Sequence, residues 1–306
     1  MSGAVLILGE SMEAYHDSDC VSNSKLSVLE DGGPALYHGR FVAKSIPKPE
    51  TTDALRLGCA FDTMLTEGRQ EFARRYVVSP EGMKFSNKAG IEWKERHVTD
   101  EDKLIRWPEF VMMEAMERAV QADPLFRTFV HKAMIAQATV RMAISKYGVG
   151  VQSKPDWLSK VPCEFSGGRP YSINLKTTAD WSDWFKDSDP NHPQTGSPVY
   201  TYGYHRQAAL DQWCLFNVDE IGETAHFLLV IEKQEPFRVG WVQLTDEYLE
   251  SGWREANAGL LRLKHCFATN SWPKTTGGVR ALNPPRWLIE RSLRADEQTA
   301  HLAGKG

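Results

Sequence analysis

Two short blocks hold the residues best suited to chemistry. KPDWL carries Asp156, and INLKTT carries Asn174 and Lys176. Residues two apart on an extended strand point to one face, so Asn174 and Lys176 should emerge side by side. A carboxylate beside a strand of this kind suits metal-assisted phosphodiester hydrolysis. Mg2+ is typically held by one or two carboxylates together with substrate phosphates, and a nearby ammonium stabilises charge that develops on the phosphate. Asp156 alone reads as an ordinary strand-end acid; its pairing with Lys176 gives it weight. Asn174 reads equally well as a weakened metal ligand or as a strand residue bonded to its neighbours.

The elements around these blocks follow from periodicity. YSINLKTT alternates, with Tyr171, Ile173, Leu175 and Thr177 on one face and Ser172, Asn174, Lys176 and Thr178 on the other. Residues 134–145 also alternate, and a turn at Tyr147-Gly148 leads through Val149 and Val151, which predicts a hairpin. Upstream, SNSKLSVLE and GPALYHGRF are short helical candidates. Asp53 reads as the N-cap of a helix carrying Ala54, Gly58, Phe61 and Leu65. From Thr99, with a capping-box pattern at Asp102, the chain reads as helical to Val130 with breaks near prolines. ADWSDWFKD is a helix candidate, DPNHPQTGSP a loop, and GYHRQAALDQW a longer helix. The strands TAHFLLVIEK and PFRVGWVQL then precede a last helix from Thr245 to about Ala268. The tail from Thr275 is rich in Gly and Pro, with a short helix candidate after Pro285. Helices first and then a mixed sheet is an α/β layer architecture. The expected organisation is one domain over 1–306: an N-terminal segment 1–52, a helical region 53–132, a core 133–273 and a tail 274–306.

The 306 residues carry a formal net charge of −4, with 42% hydrophobic and 25% charged residues. A buried core is expected, and the charge argues against a generally basic surface for polyanions but leaves room for a local basic channel, so it is neutral on nucleic acid. Five cysteines are dispersed singly, without zinc spacing, which suggests reduced thiols and a cytoplasmic protein. The run AVLILG is too short for a signal or membrane span. GGRP near Gly167 lacks the length and Lys of a phosphate-binding loop, and Gly277-Gly278 reads as linker.

Taken in order, the blocks resemble the exonuclease VIII (RecE-type) family of phages and prophages, a branch of the PD-(D/E)XK nuclease superfamily. GCAFDTMLTEG, AQATVRM, KPDWL, INLKTT, GYHRQAALDQW, VIEKQEPFRV and the pair Trp272-Pro273 each resemble a family block, and the likeness spans residues 22–287. The resemblance implies a restriction-endonuclease-like α/β fold: a central mixed sheet flanked by helices, behind an N-terminal helical region. It implies Mg2+, or Mn2+, held by Asp156, Asn174 and Asp62. Asp156, Asn174, Lys176 and Gln207 would be catalytic, and His205 and Arg206 would contact DNA. His205 and Gln207 lie two apart on a helix and do not share a face; His205 reads as packed or capping.

Departures from the family pattern fall at the site. Asp62 stands where the family helix carries His, Gln137 where the first strand carries Glu, Asn174 where the central Asp belongs, and Asp211 where a Tyr follows Gln207. Two amides for two acids remove two negative charges, which Asp62 restores in part only if its helix reaches the site. Without the family likeness, Asp62 reads as a charge on the rim of the core and Gln137 as an inter-strand or solvated polar residue. Trp157, Trp181, Trp184 and Trp213 read as core before base-stacking residues, and Arg254, Arg262 and Lys264 as a solvated face.

The resemblance implies an exodeoxyribonuclease acting on double-stranded DNA ends in recombination, with weakened activity. A single-strand annealing protein and a ring-shaped homo-oligomer would be its partners. The alternative is an inactive pseudonuclease that grips DNA ends or a host DNA-processing or defence protein. No membrane association is expected.

Overall fold

A short strand, β1 (Val5–Ile7), opens the chain and is followed by helices α1 (Met12–Asp17) and α2 (Asn23–Tyr37). The computed structural model describes residues 3–143, 145–182, 184 and 198–274. Met1–Trp272 form one unit and Pro273–Gly306 a second. The two helix candidates of the opening segment both form, as two helical stretches within Asn23–Tyr37 that meet at a kink where Gly33 adopts φ 74°, and the second runs into a π-helical turn at His38–Val42.

Next comes α3 (Asp53–Asp62). Its N-cap is Thr52, not Asp53: the Thr52 hydroxyl accepts from the Leu55 N–H, while Asp53 is the first helical residue. A π-helical turn, Thr63–Glu67, continues α3 and stops at Gly68, before α4 (Arg69–Arg75) and β2 (Val77–Val78).

After α5 (Lys88–His97), the expected helix from Thr99 is interrupted. A 3-10 turn at Glu101–Lys103 gives way to β3 (Leu104–Ile105), which pairs in parallel with β2. Leu104 and Ile105 are buried as a strand, and the helix restarts only where the Glu109 carboxylate accepts from the Arg106 N–H. From there run α6 (Trp107–Ala122) and α7 (Phe126–Phe129).

The alternating stretch after α7 is two strands. β4 (Ile135–Ala136) ends at Gln137, whose φ of 52° breaks the extended backbone, and β5 (Thr139–Met142) starts beyond it. The expected hairpin is formed by β5 and β6 (Val151–Ser153), with β1 on the other edge of β5. Then follow β7 (Trp157–Ser159), β8 (Tyr171–Thr178), α8 (Pro198–Thr201), α9 (Tyr204–Phe216), β9 (Ala225–Glu232), β10 (Val239–Gln243) and α10 (Asp246–Thr269). The loop DPNHPQTGSP up to its last residue, positions 183 and 185–187 of ADWSDWFKD, and the tail candidate after Pro285 lie outside the described residues.

The main sheet has the order β10-β9-β8-β7-β4, with β8 and β9 parallel and the other pairs antiparallel. β9 is buried at every position, as expected of a central strand covered on both faces. One face of β8 and β9, carrying Tyr171, Ile173, Phe227 and Leu229, packs against Phe61, Met64, Met113 and Met116 from α3, the π-helical turn and α6. The opposite face, with Leu228 and Val230, packs against Ala208 of α9 and Leu249 of α10. Burying each such side chain contributes about 1.5–3 kcal/mol. α9 and α10 approach so closely that a Cβ on Gly252 would lie 2.2 Å from the His205 carbonyl oxygen. This contact fixes α9, and through it Gln207 and Asp211, over the sheet. Among the described residues no helix is long and apolar enough to cross a membrane.

Candidate active site

Asp156 sits just ahead of β7, where its backbone ties two strands together. Its carbonyl accepts from Gln137 N at 3.0 Å, and its N–H donates to Asn174 Oδ1 at 3.1 Å. The Leu175 N–H donates to Asp156 Oδ2 at 2.6 Å, so the carboxylate is anchored to β8. Asn174 and Lys176 share the face of β8 that looks toward α9. Asn174 is 1% exposed and donates Nδ2 to Asp211 Oδ2 at 2.9 Å. Lys176 donates to Gln207 Oε1 at 3.1 Å, and its ammonium lies 4.4 Å from the centre of the Tyr204 ring.

Asp62 does reach this place. It is the last residue of α3, and the Thr66 hydroxyl of the following π-helical turn donates to its carbonyl. Such π turns often accompany functional sites. Gln137 links Asp62 to Asp156. Its Nε2 donates to Asp62 Oδ2 at 2.9 Å and lies 3.2 Å from Thr66 Oγ1 and 3.4 Å from Asp156 Oδ1. Gln137 is therefore a buried member of the cluster and not a solvated strand residue. Its left-handed backbone turns the side chain inward at the point where the chain changes sheets.

The structure places His205 and Arg206 elsewhere. His205 is 1% exposed, with Nδ1 3.1 Å from the Val199 carbonyl oxygen and Nε2 3.1 Å from Glu255 Oε1. Arg206 is also buried and donates to Asn23 Oδ1 and Ser27 Oγ. Both side chains fasten α9 to its neighbours, and neither is presented to a ligand. Trp157 and Trp184 are buried, as core residues would be. On α10, Arg254 pairs with Glu250 and Arg262 with Glu30, an exposed, internally matched face.

Sequence reasoning missed Asp211 as a member of the acidic set. It is 2% exposed, and burial pushes its carboxyl up to about 7 despite the opposing Asn174 hydrogen bond and Lys176 charge. Its position four residues after Gln207, one helical turn along α9, was the available signal. Burial, then the charge of Asp156, holds the Asp62 carboxyl well above the usual carboxylate range. Burial raises Asp156 too, while the Lys176 ammonium draws it back. Burial lowers the Lys176 ammonium, against the pull of Asp156, Asp211 and Asp62. With Asp62, Asp156 and Asp211 all raised, part of this acid is held protonated, yet three carboxyl groups remain and the two amides did not empty the site of acid.

Does this donor set fit a divalent cation? Asp62 Oδ1 is buried and, among the described residues, has no hydrogen-bond partner. Such an orphaned acceptor is costly unless something positive meets it. Like charges crowded together raise one another's pKa, and a cation relieves that. Among the described residues no group of three or more His, Cys, Asp or Glu is arranged to hold a metal ion. A hard cation here would rely on Asp62, Asp156 and the phosphate oxygens of a substrate, a sparse set that Mg2+ accepts.

A mixed sheet with a carboxylate ahead of one strand and an x-Lys pair on the next defines a nuclease-like α/β fold. The chain belongs to the family described as a PDDEXK-like domain of unknown function (DUF3799), which matches residues 39–284. Nucleases of that superfamily generally use divalent metals. Among solved structures, the chain is similar to one from Eubacterium rectale described as a "putative exonuclease", with a TM-score of 0.57 at 15% identity. The match covers 93% of this chain and 98% of that one. No protein with a curated function matches the chain.

Proposed function

We propose that this protein is a metal-dependent exodeoxyribonuclease of the RecE type that degrades duplex DNA from its ends, with weakened activity. The observation that carries the reading is the convergence of Asp62, Asp156 and Lys176 from α3, the start of β7 and β8 onto one half-buried site. The likeness in fold to the Eubacterium rectale protein agrees with it.

Asp62 and Asp156 would hold Mg2+, or Mn2+, which when bound supplies Lewis-acid polarisation of the scissile phosphate. Lys176, held by Gln207 and Tyr204, places its ammonium where charge develops on that phosphate. Asn174 uses both ends of its amide, on the Asp156 N–H and on Asp211, so it orients Asp156 more than it adds a ligand. The setting would be phage recombination in the bacterial cytoplasm, with a single-strand annealing protein downstream and a DNA-threading oligomer as the working form.

One observation favours the second reading, a pseudonuclease that grips DNA ends or a host protein without cutting. The Gln137 amide nitrogen, a donor, stands between the two carboxylates where a cation would sit. End-labelled linear duplex incubated with Mg2+ or Mn2+ separates the two. Digestion that disappears in Lys176→Ala supports the enzyme. Retained binding of DNA ends with no digestion supports the pseudonuclease.

A further inference from the structure

Two cavities flank the Asp62–Asp156 pair, and they differ in chemistry. The smaller, about 230 Å3, is polar and includes Asn23, Gln152, Gln207 and Asp211. The larger, about 690 Å3, is lined by Lys176, Lys233, Trp184, Tyr202 and Tyr204 besides the two acids. Its size is that of a small-molecule pocket. From the larger cavity we propose that the protein has a nucleoside subsite, in which the base next to the scissile phosphate stacks unpaired on the open ring of Tyr202. This rests on the nuclease reading and adds to it the state of the substrate: a frayed or single-stranded end.

Tyr202 is 63% exposed, a large ring left open to solvent at the mouth of a site. Tyr204 lies 5.7 Å from it, centre to centre, tilted by 37°, and is itself taken up by the stacked ring of Trp184 at 6.0 Å and the Lys176 ammonium, so it props Tyr202 and leaves the outer ring for a ligand. The pair is brought together by Gly203, which caps α9 in the left-handed region at φ 64°, a turn an L side chain adopts with strain. Tyr202 is thus propped on a ring that packs against the core. Lys176 and Lys233 supply positive charge on the same wall, and the lining carries no acid other than Asp62 and Asp156.

Within a duplex both faces of a base are stacked on its neighbours. Only a nucleotide released from its pair can lay a face on an aromatic shelf, and such stacking is tolerant of base identity. The cost of release is smallest at an end or a mismatch. The subsite therefore selects unpaired termini without selecting sequence.

The test uses the full-length protein and duplexes labelled with fluorescein at the far end, blocked from binding, with the near terminal nucleotide paired, mismatched or abasic. Binding is read by fluorescence in metal-free buffer, and cleavage separately with Mn2+. We compare Tyr202→Ala, Tyr202→Phe and, as a control, Tyr200→Ala, an exposed tyrosine that is not part of the lining. The expected result is tighter binding of mismatched than paired ends and about tenfold weaker binding of mismatched ends by Tyr202→Ala, the scale of one lost stack. Tyr202→Phe and Tyr200→Ala bind as the natural protein does, and an abasic terminus removes the difference. Cleavage by the natural protein with Tyr202→Ala binding unchanged overturns the subsite and leaves the nuclease reading intact. Neither binding nor cleavage by the natural protein overturns both.

Discussion

Asn174 and Asp211 form a buried pair in which the amide Nδ2 donates to the carboxylate Oδ2 at 2.9 Å, while Asn174 Oδ1 accepts from the Asp156 N–H. Strand β8 carries the amide and helix α9 the acid, so the acid sits across the layer from the strand rather than on it. An acid introduced at position 174 would meet Asp211 head-on. Asn174→Asp alone is expected to lose about 2–4 kcal/mol at neutral pH, the cost of breaking a buried hydrogen bond and crowding two carboxylates. The exchange Asn174→Asp with Asp211→Asn keeps one acid and one amide, and should recover most of that loss. Urea denaturation of the four proteins in the cycle measures the coupling; additive effects would show that the pair does not interact.

Asp211 also sets a pH dependence. Its carboxyl is pushed up to about 7 from the usual 3.8, so between those values the native chain holds a proton that the unfolded chain has lost. Stability from this group is fully present below the unfolded value and falls as pH rises through that window. The slope approaches roughly 1.4 kcal/mol per pH unit. Asp211→Asn should flatten the curve of stability against pH between 4 and 7 in metal-free buffer. A curve that keeps its slope would assign the proton to Asp62 or Asp156.

How much of this was legible beforehand depends on range. β8 is readable because eight residues alternate, and that alternation correctly sets Asn174 and Lys176 on one face. β7 and β1 are three residues each, too short for a period to register; their pairing partners, not their sequences, make them strands. The break at Gln137 is invisible for a different reason. Its left-handed φ answers to the switch between sheets, and glutamine carries no signal for that conformation. Asp62 and Asp211 were seen as residues, but their place in the site is decided by how α3 and α9 pack on β8. The family likeness supplied positions for both without supplying their partners.

Gln137 offers the most direct handle on metal binding. Its amide nitrogen is surrounded by oxygens of Asp62, Thr66 and Asp156, the outline of a cation site filled by a neutral donor. Gln137→Glu replaces that donor with a third carboxylate. Mn2+ affinity measured by calorimetry should rise at least tenfold. Because ligands must lose their protons to bind, the gain should grow with pH as Asp62 and Asp156, both raised, ionise. Without metal, the same variant should be less stable than the natural protein, since a third acid enters a crowded pocket. Unchanged affinity would mean that the Gln137 position does not face the ion.

Lys176 should be the residue whose loss costs most in catalysis. Its ammonium faces the acidic cluster, and Gln207 and the Tyr204 ring fix its direction. Lys176→Ala is expected to lower the cleavage rate about 100- to 1,000-fold, the usual cost of removing one preorganised charge or donor at a reacting oxygen. Gln207→Ala leaves the ammonium in place but free to move, so a smaller loss of about tenfold is expected. Tyr204→Phe keeps the ring beneath the ammonium and should be near neutral, whereas Tyr204→Leu should resemble Gln207→Ala. Single-turnover rates on end-labelled duplex, with circular dichroism to check folding, distinguish these four. Equal losses in Gln207→Ala and Lys176→Ala would mean that Gln207 itself touches the substrate, and that Lys176 acts through it.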